Sequence, residues 1–118
     1  MSEDDLVPVF NKLQADIVSF DRLHHVSTTI EGRALDLVSE VGELSKELLT
    51  GTRYGEESFV ADESWEMELG DVLYSLIRLA NHTNVNLGGA IQAALGKYER
   101  RWERKGTISS VERDRPSR

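Results

Sequence analysis

Apolar residues at Leu6, Val9, Phe10, Leu13, Ile17 and Phe20 recur with the spacing of one helix face, which predicts an amphipathic helix from Leu6 to about Leu23. The pair His24-His25 ends it. Thr28-Thr29-Ile30-Glu31 has the form of a capping box, and a second helical repeat through Leu37, Val41, Leu44 and Leu48 runs until Gly51. From Gly51 through Asp62 the periodicity is lost and turn formers gather, so this stretch reads as a connection whose last residue, Asp62, can cap the next helix. That third helix, about Glu63 to Asn81, is the most apolar, with Trp65, Leu69, Val72, Leu73, Leu76, Leu79 and Ala80. Asn84-Val85-Asn86 offers a turn and an N-cap for a fourth helix from Leu87 to about Arg104, closed near Gly106. Gly88-Gly89 weakens its first turn. The two prolines, Pro8 and Pro116, forbid none of this, and no internal repeat is present. The expected architecture is all-α: four helices in one domain over residues 1–106, followed by a mobile polar tail over 107–118 that is too poor in apolar groups to pack.

Composition narrows the function classes. A core of 118 residues is small enough to gain stability by burying surface against a second copy. The net charge of −7 argues against nucleic acid and anionic membrane as partners, since proteins that bind them present a positive surface. The absence of cysteine excludes disulfides, thiolate metal sites and a cysteine nucleophile. The start Met1-Ser2-Glu3-Asp4-Asp5 lacks the basic and apolar character of a signal sequence, and no apolar run nears the roughly 20 residues of a membrane span, so a cytoplasmic location is expected.

The chemistry sits in the acids. On the second helix Asp36, Glu40, Glu43 and Glu47 fall within an arc of roughly 60°, beside the apolar arc rather than opposite it. Glu68 and Asp71 share a face of the third helix with Ser64 and Ser75, again next to the apolar arc. Like charges at this spacing repel, and Glu40 has no basic residue three or four positions away to offset it. A single Glu-x-x-Glu is ordinarily solvated helix surface. Two such motifs on consecutive helices, both bordering the core, point instead to a shared cation, and an all-oxygen ligand set suits magnesium or manganese better than zinc or copper.

These same residues carry a family resemblance. Leu37-Val38-Ser39-Glu40-Val41-Gly42-Glu43-Leu44 and Glu68-Leu69-Gly70-Asp71-Val72-Leu73-Tyr74 resemble the two acidic helices of the MazG-like nucleoside triphosphate pyrophosphohydrolases. Lys97-Tyr98-Glu99-Arg100-Arg101-Trp102 is similar to that family's Lys-Phe-Glu-Arg-Arg-Phe segment, with aromatic residues exchanged for one another. The likeness covers roughly residues 31 to 105. It implies a MazG-like fold in which helices of different subunits form a bundle, hence a homodimer or a dimer of dimers. It also implies magnesium-dependent cleavage of a nucleoside triphosphate between the α- and β-phosphates to the monophosphate and pyrophosphate. Carried over by position, Glu40, Glu43, Glu68 and Asp71 are the metal ligands, and one of that group, or nearby Glu47, orients or deprotonates the water. Lys97 and Arg101, one turn apart, would meet the triphosphate as cations.

Other readings compete with less support. The basic run from Lys97 to Lys105 fits phosphate-ligand binding first, a solvated helix end second and a nucleic-acid patch last. His24 and His25 close a helix end, His82 serves as a cap, and Trp65 and Trp102 are packing residues. A ferritin-like di-iron centre would need Glu-x-x-His pairs and an HD-type phosphohydrolase a His-Asp pair; neither occurs. The remaining alternative to an enzyme is a helical nucleotide- or protein-binding module that keeps the metal site without turnover.

Overall fold

The computed structural model describes residues 3–110. Within them lie four helices, α1 (Glu3–Leu23), α2 (Ile30–Gly51), α3 (Glu63–His82) and α4 (Leu87–Lys105), and no strand. The boundaries reflect local chemistry. Asp62 caps α3 by accepting from the Trp65 amide at 2.9 Å, and Asn86 caps α4 by accepting from Gly89 at 2.9 Å. Gly106 ends α4 in the left-handed region, at φ 69°, where a glycine has no Cβ penalty.

Three details differ from the sequence reading. The N-cap of α2 is Thr29, which accepts from Gly32, rather than the Thr28 of a capping box. Capping from Thr29 puts Gly32 where the box needs a glutamate, so there is no side chain to reach back. α1 begins at Glu3, ahead of its apolar repeat, and takes Pro8 into its second turn. At the end of α3 the cap is Thr83, whose hydroxyl donates to the Leu79 carbonyl at 3.0 Å, and not His82. Of the expected tail, residues 107–110 form no helix and residues 111–118 lie outside the described residues.

α2 and α3 form an antiparallel hairpin, so that Arg33 meets His82 while Glu40 meets Glu68 and Asp71. α1 packs across α3 and α4. That junction is held by amides as much as by oil. The buried Gln14 donates to Asn81 Oδ1 at 3.0 Å and to the Val85 carbonyl at 2.8 Å, and it accepts from the Leu87 amide at 2.8 Å. One side chain thus satisfies backbone groups of the α3–α4 turn that would otherwise be orphaned. Beside it Gly88 lets the backbones of α4 and α1 touch: a Cβ there would lie 2.4 Å from the Leu6 carbonyl oxygen.

The interior of a single chain is thin. Ile77 and Ala80 of α3 are its buried apolar residues among those described, while Leu35 and Val38 of α2 and Met67 of α3 are 70%, 70% and 67% exposed. The radius of gyration is 18.2 Å, against about 13 Å expected for a compact domain of this length. The apolar arcs of α2 and α3 are therefore only partly covered by the fold of one chain.

Candidate metal centre

The α2–α3 hairpin positions the acids. Because the helices run antiparallel with their acidic arcs at the same edge of the seam, residues near the middle of each converge. Glu40, Glu68 and Asp71 each offer a carboxylate oxygen, and these atoms lie within 4.8 Å of one another. Oxygens around one magnesium ion lie at most about 4.2 Å apart, given ligand bonds of about 2.1 Å, so the group is slightly wider than a closed site. Glu40 and Glu68 are half-buried and Asp71 is exposed, which leaves the cluster open on one side.

The electrostatics describe an unbalanced group. The Glu68 carboxyl titrates above the ordinary glutamate range, first because partial burial penalises its charge and then because Asp71, Glu47, Glu40 and Glu43 surround it with like charge. Glu43 and Glu47 are thus close enough to act on Glu68, although neither belongs to the convergent trio. Asp36, on the same stripe, has a different environment: Arg78 Nη1 of α3 stands 3.9 Å from its carboxylate. Among the described residues, the charge on the stripe is therefore offset at the Asp36 end, while like charges crowd Glu68 in the middle.

Lys97 and Arg101 lie on α4, and α4 docks on α1, so a single chain does not set the cationic helix along the acidic seam. Both side chains lie over the Tyr98 ring, at 5.2 and 6.0 Å, and Arg101 donates to the Ile108 carbonyl at 3.3 Å. At the loop end of the hairpin a cavity of about 470 Å³ opens beside the acids, lined by Glu47, Phe59, Asp62 and Ser64. Trp65 packs edge-on against Phe59, with ring centroids 4.7 Å apart, in keeping with a packing role. Gly51 gives that ring room, since a Cβ there would come within 3.1 Å of it.

Sequence reasoning missed a second polar cluster on the same seam. Asp21 of α1 is buried, accepts from the Tyr74 hydroxyl, and faces Arg78 at 3.3 Å and Arg33 at 3.9 Å. Arg33 Nε in turn donates to His82 Nδ1 at 3.1 Å. The signal was present: Asp21 stands four and seven residues after Ile17 and Gln14, on the inward face of α1, where an acid needs a partner. His24, by contrast, packs on Phe20 at 4.5 Å, and His25 takes φ 54° in the turn, as helix-closing residues do.

With that geometry in view, the relatives are informative. The model of the MazG nucleotide pyrophosphohydrolase domain matches residues 28–105, which span α2, α3 and α4 and contain all the carboxylates of the acidic seam. The YpjD protein of Bacillus subtilis (strain 168), itself uncharacterized, is 40% identical over 76 residues, covering 58% of this chain and 67% of YpjD. No solved structure matches the chain. The match extends over the greater part of the sequence and over both acidic helices, and the chain belongs to the MazG nucleotide pyrophosphohydrolase family.

Proposed function

We propose that this protein is a magnesium-dependent nucleoside triphosphate pyrophosphohydrolase that cleaves its substrate between the α- and β-phosphates, giving the monophosphate and pyrophosphate. The observation that carries the reading is the convergence of Glu40, Glu68 and Asp71 on one small volume, with like charges around Glu68, in a chain of this family. A donor set made wholly of carboxylate oxygens fits magnesium, with manganese as the alternative. In this reading Glu40, Glu43, Glu68 and Asp71 hold the metal; Glu43 reaches it from one turn beyond Glu40 on α2. When bound, the metal supplies charge neutralisation for the phosphate oxygens.

The chain's own groups do the rest. Glu40, Glu43 and Glu47 form the side of the site from which a water is oriented and its proton accepted, and Glu47 borders the cavity that would admit the nucleotide. Lys97 and Arg101 bind the phosphate chain from a second copy, whose α4 reaches the seam that α4 of the same chain does not line. This requires a homodimer or a dimer of dimers. The exposed apolar residues Leu35, Val38 and Met67 support such an assembly, because an intersubunit helical bundle would bury them. Catalysis in this reading belongs to the helical unit, residues 1–106. Its role would be to clear nucleotides from the pool, and neither nucleic acid nor a membrane takes part. Among the described residues no helix is long and apolar enough to cross a membrane.

A panel of nucleoside triphosphates incubated with the purified protein and magnesium tests this directly. Pyrophosphate released from at least one of them, and abolished by chelation, is the expected result. A protein that binds magnesium and nucleotide yet releases none from any member of the panel would be the non-catalytic binding module instead.

A further inference from the structure

We propose that a second cavity, bounded by the C-terminal end of α1, the first turns of α2 and the last turns of α3, binds a phosphate-type oxyanion. The cavity has a volume of about 270 Å³ and is lined by Asp21, Arg22, Arg33, Arg78, Asn81 and His82. Three arginines thus line one cavity in a chain whose overall charge is −7. The two carboxylates that reach these guanidiniums, Asp21 and Asp36, do not saturate them.

The arginines are held in an unusual state. The Arg33 and Arg78 side chains are only 11% and 10% exposed, and Arg33 Nη1 and Arg78 Nε are buried donors with no hydrogen-bond partner. Asp21 Oδ2 lies 3.9 and 3.3 Å from those two nitrogens, close enough to attract but not aligned to accept from either. Its other oxygen is taken by the Tyr74 hydroxyl. His82, which accepts from Arg33 Nε at Nδ1, also lines the cavity. Those two nitrogens are turned to Asp21 and closed to solvent, so an anion in the cavity would meet the remaining guanidinium nitrogens, and a tetrahedral oxyanion with several acceptor oxygens suits such a set.

Size sets the ligand class. The cavity is small and open on one side, below the roughly 300–1,000 Å³ of pockets for drug-sized ligands, so a single phosphate or pyrophosphate fits within it. Arg33 and Arg78 stand seven residues from Glu40 and Asp71 respectively, which places the cavity about 10 Å along the same seam from the carboxylates. It is therefore separate from the metal group, and it stands whether or not the hydrolase reading does. The oxyanion is either free phosphate or a phosphate group of a nucleotide whose remainder lies outside the cavity.

The test uses the full chain in a chelator, so that no metal can hold phosphate at the acids. Millimolar phosphate is expected to raise the thermal midpoint by roughly 4 °C over chloride at matched ionic strength. Arg22→Gln, an exposed change at the rim, is expected to lower that rise, while Glu68→Gln keeps it. In the unsubstituted protein the His82 imidazole signals should move saturably with phosphate by NMR, a readout that needs no variant to fold. Repeating that titration with a nucleoside monophosphate separates the sources: displacement of phosphate from His82 assigns the site to a nucleotide, and indifference assigns it to the free ion. A midpoint rise no larger than that in chloride, or His82 signals that stay fixed with both ligands, overturns the proposal.

Discussion

Replacing Asp21 by asparagine would remove one charge from the α1–α2–α3 junction while preserving its shape. Asp21 is 8% exposed, and it is the carboxylate closest to both Arg33 and Arg78. Removing one partner of a buried ion pair typically costs about 3–5 kcal/mol, because the remaining charge stays buried without compensation. The lower end applies here: the contacts to Arg33 and Arg78, at 3.9 and 3.3 Å, are not hydrogen bonds, and Asp36 still stands 3.9 Å from Arg78. The asparagine can continue to accept from the Tyr74 hydroxyl, so the loss reports charge rather than packing. With a urea slope of about 1.5 kcal/mol/M, a loss of about 3 kcal/mol lowers the unfolding midpoint by about 2 M. Tyr74→Phe, which removes one hydrogen bond and no charge, should cost about 1 kcal/mol. Both are measured by urea titration in phosphate-free buffer at fixed protein concentration, since assembly couples to stability. An Asp21→Asn midpoint within about 0.3 M of the parent, or a Tyr74→Phe loss equal to it, would refute the view that Asp21 is held by the two arginines.

Four other perturbations have expected outcomes. Glu43→Ala should lower pyrophosphate release at fixed magnesium by about 100-fold or more, since even groups behind the ligands of a metal site are worth about 10- to 100-fold; parental activity would remove Glu43 from the ligand set. Glu68 titrates above its ordinary value of 4.5 in the folded protein, so its ionisation weakens the metal-free fold above that raised value and the penalty is relieved as pH falls through it. Magnesium needs the ionised form, so the stabilisation it confers should shrink as pH falls through the same window, and a magnesium-induced rise in melting temperature that ignores pH there would contradict the assignment. Gly88→Ala drives a methyl to 2.4 Å from the Leu6 carbonyl oxygen and should cost about 1–3 kcal/mol by thermal unfolding; a neutral outcome would mean that α1 and α4 separate freely. Val38→Lys, at a residue 70% exposed in one chain, should be silent in a monomer but shift the sedimentation profile toward smaller species if α2 packs on a second copy.

Much of the fold was legible because each helix carries its own punctuation. Asp62, Asn86 and Gly106 act through bonds to residues within a few positions, and such bonds can be read from a linear string. The acidic stripes were legible for the same reason, since a helix fixes which of its residues share a face. What one helix does to another was not. That Arg78 would stand against Asp36, or that Asp21 would bring α1 onto Arg33 and Arg78, depends on helix register set by side chains far apart in sequence. The placement of Lys97 and Arg101 was not legible either. Their spacing on α4 is local, but the surface that α4 faces is decided by Gly88 and Asn86 gripping α1.

The two helix pairings also differ in how they come together. α2 and α3 meet across the single connection 52–62, whereas the bond from Asn86 to the Val7 carbonyl joins residues 79 apart in sequence. Closing the longer loop costs more entropy, so the α2–α3 hairpin should assemble early and the clasp of α1 on α4 should complete folding. In the folded protein the order reverses. Amides around the clasp should exchange with solvent through partial openings that leave the hairpin intact. The carboxylates would then keep their mutual arrangement during the commonest fluctuations of the chain, while the cationic helix α4 is the part released to swing.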